Sequence, residues 1–168
     1  MTMVLFVTSC MTQPISNPTA TMKAREPFSA RRASGDGAVI AWSGFVNGYK
    51  TGATEEFVIT LENNTNVPWQ GRYCLQLMDH QSPQVITPLG QREFHLEPSN
   101  SFSDILTTQL PENLDEGAYD LSLVVRKPGS PMVDLIPIQI GRANDVRRVA
   151  TRQSIDASLE ACPPEIHK

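Results

Sequence analysis

The chain has 168 residues, room for one β-sandwich domain of about 100 residues with extensions, and too few for several large domains. Thirteen prolines against ten glycines, with 40% hydrophobic and 19% charged residues, favour strands and turns over a helical bundle. A net charge of −4 offers no basic footprint, so nucleic acid is not an expected partner.

Residues 1–10 join a short apolar run, Met3 to Val7, to Thr8, Ser9 and Cys10. The four residues Val7, Thr8, Ser9 and Cys10 resemble the lipobox of bacterial lipoproteins, where the signal is cut before the cysteine. That resemblance implies lipidation of Cys10, membrane contact through an acylated N-terminus, and a place in the bacterial cell envelope facing the periplasm or exterior. The segment departs from the pattern in two ways. No Lys or Arg precedes the apolar run, and the run is shorter than the usual stretch of about 7–15 residues. No other segment approaches the roughly 18 apolar residues of a spanning helix. Residues 11–36 are rich in Pro, Ser, Thr and Asn and lack apolar periodicity, which predicts a flexible linker, made locally basic by Lys23, Arg25, Arg31 and Arg32. Gly35, Asp36 and Gly37 read as a flexible lead into the domain.

From residue 37 to 141 short apolar runs alternate with turn signals, the pattern of an all-β sandwich of about seven strands. Residues 38–46 open the set. Residues 56–62 alternate cleanly, with Phe57, Ile59 and Leu61 predicted inward and Val58, Thr60 and Glu62 outward. Asn63, Asn64, Thr65 and Asn66 mark a loop, because short amides bond to nearby backbone and tolerate left-handed conformation. Residues 72–79 place Tyr73, Leu75 and Leu77 on the core face and Cys74, Gln76 and Met78 on the other. Residues 85–89 and 93–97 are weaker, and Pro88 confines the former to an edge or bend. Residues 102–110 lack clean alternation. Residues 118–126 put Tyr119, Leu121, Leu123 and Val125 inward, and residues 132–140 close the domain at a sheet edge, because Pro137 cannot donate to a ladder.

Asp115, Glu116, Gly117, Ala118 and Tyr119 resemble the tyrosine corner of immunoglobulin and fibronectin type III modules, in which the Tyr hydroxyl bonds back to the corner backbone. The resemblance implies an antiparallel immunoglobulin-like β-sandwich, with Asp115, Gly117 and Tyr119 as its structural corner. It departs from antibody domains in lacking paired core cysteines, since Leu121 stands two residues after Tyr119.

Residues 142–168 read as a helical or irregular tail. Asn144 is a candidate N-cap, Val146, Val149 and Ala150 form one apolar stripe, Ile155, Leu159 and Cys162 another, and Pro163 and Pro164 end the helix. Cys74 and Cys162 are an even pair once Cys10 is set aside, and either bridge, docking the tail on the outer face of the sheet, or remain two buried thiols.

No catalytic constellation emerges, so the chain is not expected to be an enzyme. His80, His95 and His167 lack the close companions of a metal site, and no phosphate-binding glycine loop or other cofactor signature is present. Asp79, His80 and Ser82 are hydrolase residue types, but neighbours on a strand point to opposite faces. Asn63, Asn64, Asn66 and Trp69 are the candidate partner-binding residues: an aromatic among amides suits an envelope protein or a glycan, while a tryptophan capping the core is the competing reading. The sequence thus points to a non-catalytic envelope lipoprotein carrying a binding or assembly module. The alternative is a secreted or periplasmic proteinase-inhibitor-like protein acting through residues 63–69 or 127–132.

Overall fold

The computed structural model of the chain describes residues 31–46, 48–141 and 151–164. Among them are eight strands, β1 (Arg31–Gly35), β2 (Ala38–Ser43), β3 (Thr54–Asn63), β4 (Trp69–Asp79), β5 (Val85–Leu96), β6 (Ser101–Gln109), β7 (Gly117–Arg126) and β8 (Met132–Ile140), and one helix, α1 (Arg152–Ala161). The strands form two antiparallel sheets, β1-β2-β3-β6 and β5-β4-β7-β8, packed as an immunoglobulin-like sandwich. Cys10 and residues 11–30, Asn144 and His167 lie outside the described residues.

The alternating strands set the core. Phe57, Ile59 and Leu61 of β3 face Tyr73, Leu75 and Leu77 of β4 and Leu121, Leu123 and Val125 of β7, all at 1% exposure or less. Each such side chain contributes roughly 1.5–3 kcal/mol by leaving water. Polar bridges also tie the two layers. Trp42 Nε1 donates to Asp134 Oδ2 at 2.8 Å, and the Tyr73 hydroxyl donates to Asp104. Burial and then the Asp104 carboxylate push the Tyr73 phenol well above its ordinary value of 10.0. Two inward polar positions explain the broken alternation of β6: Asp104 receives Tyr73, and the Thr108 hydroxyl donates to Leu89 O at 2.6 Å.

At the corner the Tyr119 hydroxyl donates to Asp115 O at 3.0 Å, four residues back. Pro88 and Pro137 both sit on edge strands, where a missing N–H costs no ladder bond. Residues 85–89 and 93–96 are not separate: they belong to the continuous β5, which stops one residue short of the predicted Glu97 and whose register against β4 shifts at two places, leaving Ile86 and Leu89 as extra residues.

The predicted linker ends earlier than residue 36. Arg31–Gly35 forms edge strand β1, and Asp36 (φ 50°) and Gly37 (φ 71°) are the two left-handed residues of a tight hairpin into β2. The hairpin gives the sandwich a direction. The near end holds Thr54, Gln109, Asp79 and Gly117; β1 starts midway, with Arg31 opposite Trp42 and level with Ile59, and runs away from that end. The far end holds Gly37, Asn63, Trp69, Leu96, Arg126 and Met132. A strand the length of β3 puts about 30 Å between the two.

Candidate functional site

The outer face of the second sheet is where the structure adds most to the sequence. Outward residues of β4 and β7 oppose each other in four rows: Arg72 and Arg126, Cys74 and Val124, Gln76 and Ser122, Met78 and Asp120. Polar or not, the last three rows are buried: α1 lies on Cys74, Val124, Gln76, Ser122 and Met78, and Asp120 lies beside His80.

Cys74 and Cys162 are joined as a disulfide, S–S 2.03 Å and Cα–Cα 6.0 Å, and this docks the helix. Its start is a reciprocal cap in which the Thr151 hydroxyl accepts from Ser154 N–H at 3.2 Å and the Ser154 hydroxyl accepts from Thr151 N–H at 3.0 Å. The buried stripe is Ser154, Ser158 and Cys162, not the predicted Ile155, Leu159 and Cys162; Ile155 and Leu159 lie half-buried at the flanks. Small side chains at i and i+4 let the helix sit close to the sheet and meet its polar groups. Gln76 Nε2 donates to Ser158 O at 3.2 Å, the Ser122 hydroxyl donates to the Ser158 hydroxyl at 2.9 Å, and Met78 Sδ lies 2.9 Å from the same oxygen. Gln76 Oε1 has no partner.

Where α1 ends, Arg126 reaches across from β7 and donates from Nε to Cys162 O at 2.7 Å and from Nη2 to Leu159 O at 2.6 Å. A cation on those carbonyls offsets the negative end of the helix dipole. Burial lowers the Arg126 guanidinium below its ordinary value, the direction desolvation imposes on a cation.

Beside this contact, at the far end, is a cleft of about 360 Å³ lined by Gln70, Gly71, Arg72, Arg126, Lys127 and three prolines, Pro128, Pro131 and Pro164. Gly71 is required there: a Cβ would stand 2.0 Å from Arg126 O. Lys127 is nearly buried, its Nζ 5.3 Å from the Trp69 ring centroid and 3.4 Å from Pro128 O. Arg72 Nη2 is 3.5 Å from Glu93, and Arg72 Nε is buried with no hydrogen-bond partner. Sequence reading missed this cluster. Arg72 and Arg126 are 54 positions apart and become neighbours only through strand register; a hint was the parity that puts both on the polar face.

The predicted partner-binding residues fall into two groups. Trp69 is 2% exposed and belongs to the core, so it is no stacking platform, and Asn63 is fully buried as the last residue of β3 rather than a loop residue. The Asn63 amide fastens the loop that follows, donating to Val67 O at 2.8 Å and accepting from Thr65 N–H at 3.0 Å. Asn64 and Asn66 are exposed on that loop. Among the described residues the exposed large apolar side chains are Val58, Val67, Ile86 and Ile105, none of them aromatic, so the stacking surface expected for a glycan is not built from Trp69.

The histidines separate. His80 Nδ1 lies 3.0 Å from the buried Asp120 Oδ1, and His95 Nε2 lies 2.8 Å from Glu97. Asp79 accepts the N–H groups of Gln81 and Ser82, shaping the turn after β4. Among the described residues no three His, Cys, Asp or Glu side chains gather as a metal site, and no helix is long and apolar enough to cross a membrane.

No family model matches the chain, and no curated protein matches it. Several solved structures align with part of the chain. A β-glucosidase from Listeria innocua aligns over 64% of this chain with a TM-score of 0.49 and 11% identity, and the chain spans 16% of that enzyme's length. A family 123 glycoside hydrolase from Clostridium perfringens aligns over 58% of this chain and 23% of its own, with a TM-score of 0.44 and 11% identity. A FixG-related protein from Vibrio parahaemolyticus aligns over 64% of this chain and 97% of its own, again at 0.44 and 11%. The likeness concerns the fold and assigns no activity to this chain.

Proposed function

We propose that the chain is a non-catalytic lipoprotein of a bacterial envelope, an immunoglobulin-like module on an N-terminal leash that binds or helps assemble other envelope components. The observation that carries the reading is the Cys74–Cys162 disulfide, a bond that persists in oxidising compartments and is rare in the cytosol. The lipobox-like Val7 to Cys10 agrees with it. So does the direction of β1, which runs from the middle of the sandwich towards the far end, so that a leash joined to its first residue is on the side away from the cleft. Incorporation of radiolabelled palmitate tests the proposal. Labelling of the full chain and its loss in Cys10→Ala is expected; labelling that survives the substitution, or none in either chain, overturns the anchored reading.

A second reading, a proteinase inhibitor, is favoured by one feature. Val67 is 49% exposed on a loop whose backbone is fastened by Asn63 and Thr65, a rigid presentation of an aliphatic side chain. Inhibition of one member of a protease panel, lost in Val67→Asp, is the expected result; inactivity against the whole panel removes this reading.

A further inference from the structure

We propose that the far-end cleft is an anion site that takes the carboxylate groups of an acidic segment on a partner protein, with Arg72 and Lys127 as the binding residues. Three cations line it, Arg72, Arg126 and Lys127, in a chain whose net charge is −4. The carboxylate facing Arg72 is Glu93, whose side chain is 76% exposed at 3.5 Å. Exposed pairs of this kind are weak and readily exchanged.

Each cation is held differently. Arg126 is committed to the two carbonyls at the end of α1, so it contributes field rather than contacts. Arg72 carries a buried Nε with no partner next to an Nη2 that touches Glu93 only at long range. A buried donor left unpaired calls for a group to satisfy it. A carboxylate displacing Glu93 along the Nε–Nη2 edge would satisfy both nitrogens at once, the bidentate geometry at which guanidinium excels. Lys127, steadied on the Trp69 ring, supplies a second positive head whose remaining donors are free for a neighbouring carboxylate.

The walls narrow the ligand class. Pro128, Pro131 and Pro164 are rigid and carry no N–H, and the lining has no aromatic ring for a base or sugar to stack on. The choice of a protein over the headgroups of the anchoring membrane rests on the leashed reading above, because β1 starts midway along the sandwich and runs towards the cleft end, so that its first residue is the one farthest from the cleft. The anion site itself does not depend on that reading.

Titration of the full-length chain with a synthetic hexaglutamate peptide at low ionic strength, read by tryptophan fluorescence and calorimetry, tests the inference. Expected are saturable binding, weakening with added salt, about tenfold loss in Arg72→Gln and in Lys127→Gln, and tighter binding in Glu93→Gln, where the competing carboxylate is gone. Lys127→Gln removes a cation from the Trp69 ring; if it unfolds the protein, Arg72→Gln and Glu93→Gln with unchanged melting decide. No binding of the peptide, equal binding by Arg72→Gln, or binding to phosphatidylglycerol vesicles without binding to the peptide overturns the proposal. Loss of palmitate labelling leaves these results unaffected, so failure of the anchor and failure of the site are separate outcomes.

Discussion

The two faces of the β5-β4-β7-β8 sheet are held by different physics. Its inner face, with Tyr73, Leu75, Leu77, Leu121, Leu123 and Val125, is closed by apolar burial against the facing sheet. Its outer face, with Cys74, Gln76, Met78, Ser122 and Val124, is equally dry, but the cover is a ten-residue helix whose buried stripe is Ser154, Ser158 and Cys162. Two serine side chains release little apolar surface, and so short a helix is marginal alone in water. A covalent bond and a guanidinium therefore do at the outer face what packing does at the inner one. Burial alone does not reveal how firmly a surface is sealed; the chemistry of the contact does.

The sharpest way to break this contrast is to damage each side separately. Leu75→Ala, at a fully buried position between the sheets, is expected to cost about 2–5 kcal/mol in denaturant unfolding, spread over the whole sandwich. Replacing Cys74 and Cys162 together by Ser is expected to cost about 2–4 kcal/mol. Its signature differs: hydrogen exchange accelerates in α1 and at the outer positions of β4 and β7, while β3 keeps its protection. Uniform acceleration would show that the clamp supports the sandwich as a whole.

Tyr73→Phe probes the inner face through pH and is expected to cost about 1 kcal/mol near neutrality. Because folding raises the phenol above 10.0, the stabilisation is whole below that pH and is withdrawn as pH climbs from there towards the folded value. Wild-type stability should thus fall more steeply than that of Tyr73→Phe above pH 10, measured by urea unfolding across an alkaline series. The smallest effect is local: Arg126→Gln, partly solvated, is expected to lose about 1 kcal/mol and to fray the last turn of α1. Exchange rates at residues 159–162 report it.

The inner face was legible in the sequence because period-two alternation in residues 56–62, 72–79 and 118–126 states which side chains are dry. The Tyr119 corner and the edge prolines were legible for the same local reason. What escaped depends on register or on small residues. β1 has no apolar stripe to announce it, and its Asp36-Gly37 hairpin signal is masked by the preceding Ser34 and Gly35, which make the segment look like a flexible lead. In α1 the apolar Ile155 and Leu159 drew the expected face, whereas the disulfide and the polar sheet beneath selected the serines. Trp69 shows a third limit: a tryptophan beside a loop has the same neighbours in sequence whether it faces outward or, as here, inward under Lys127. The cleft was invisible because Arg72 joins the adjacent Arg126 and Lys127 only when β4 and β7 pair.

The clamp also imposes an order on biosynthesis. Cys74 and Cys162 are separated by 88 positions, and every strand from β1 to β8 precedes the second cysteine. During vectorial synthesis the sandwich can therefore assemble while the Cys74 thiol still lacks its mate, exposed at the centre of a bare sheet. In that interval it is open to an oxidant or to the wrong thiol. Closing the clamp thus requires one oxidation after the last strand has been made, the step that turns a reactive surface into an inert one.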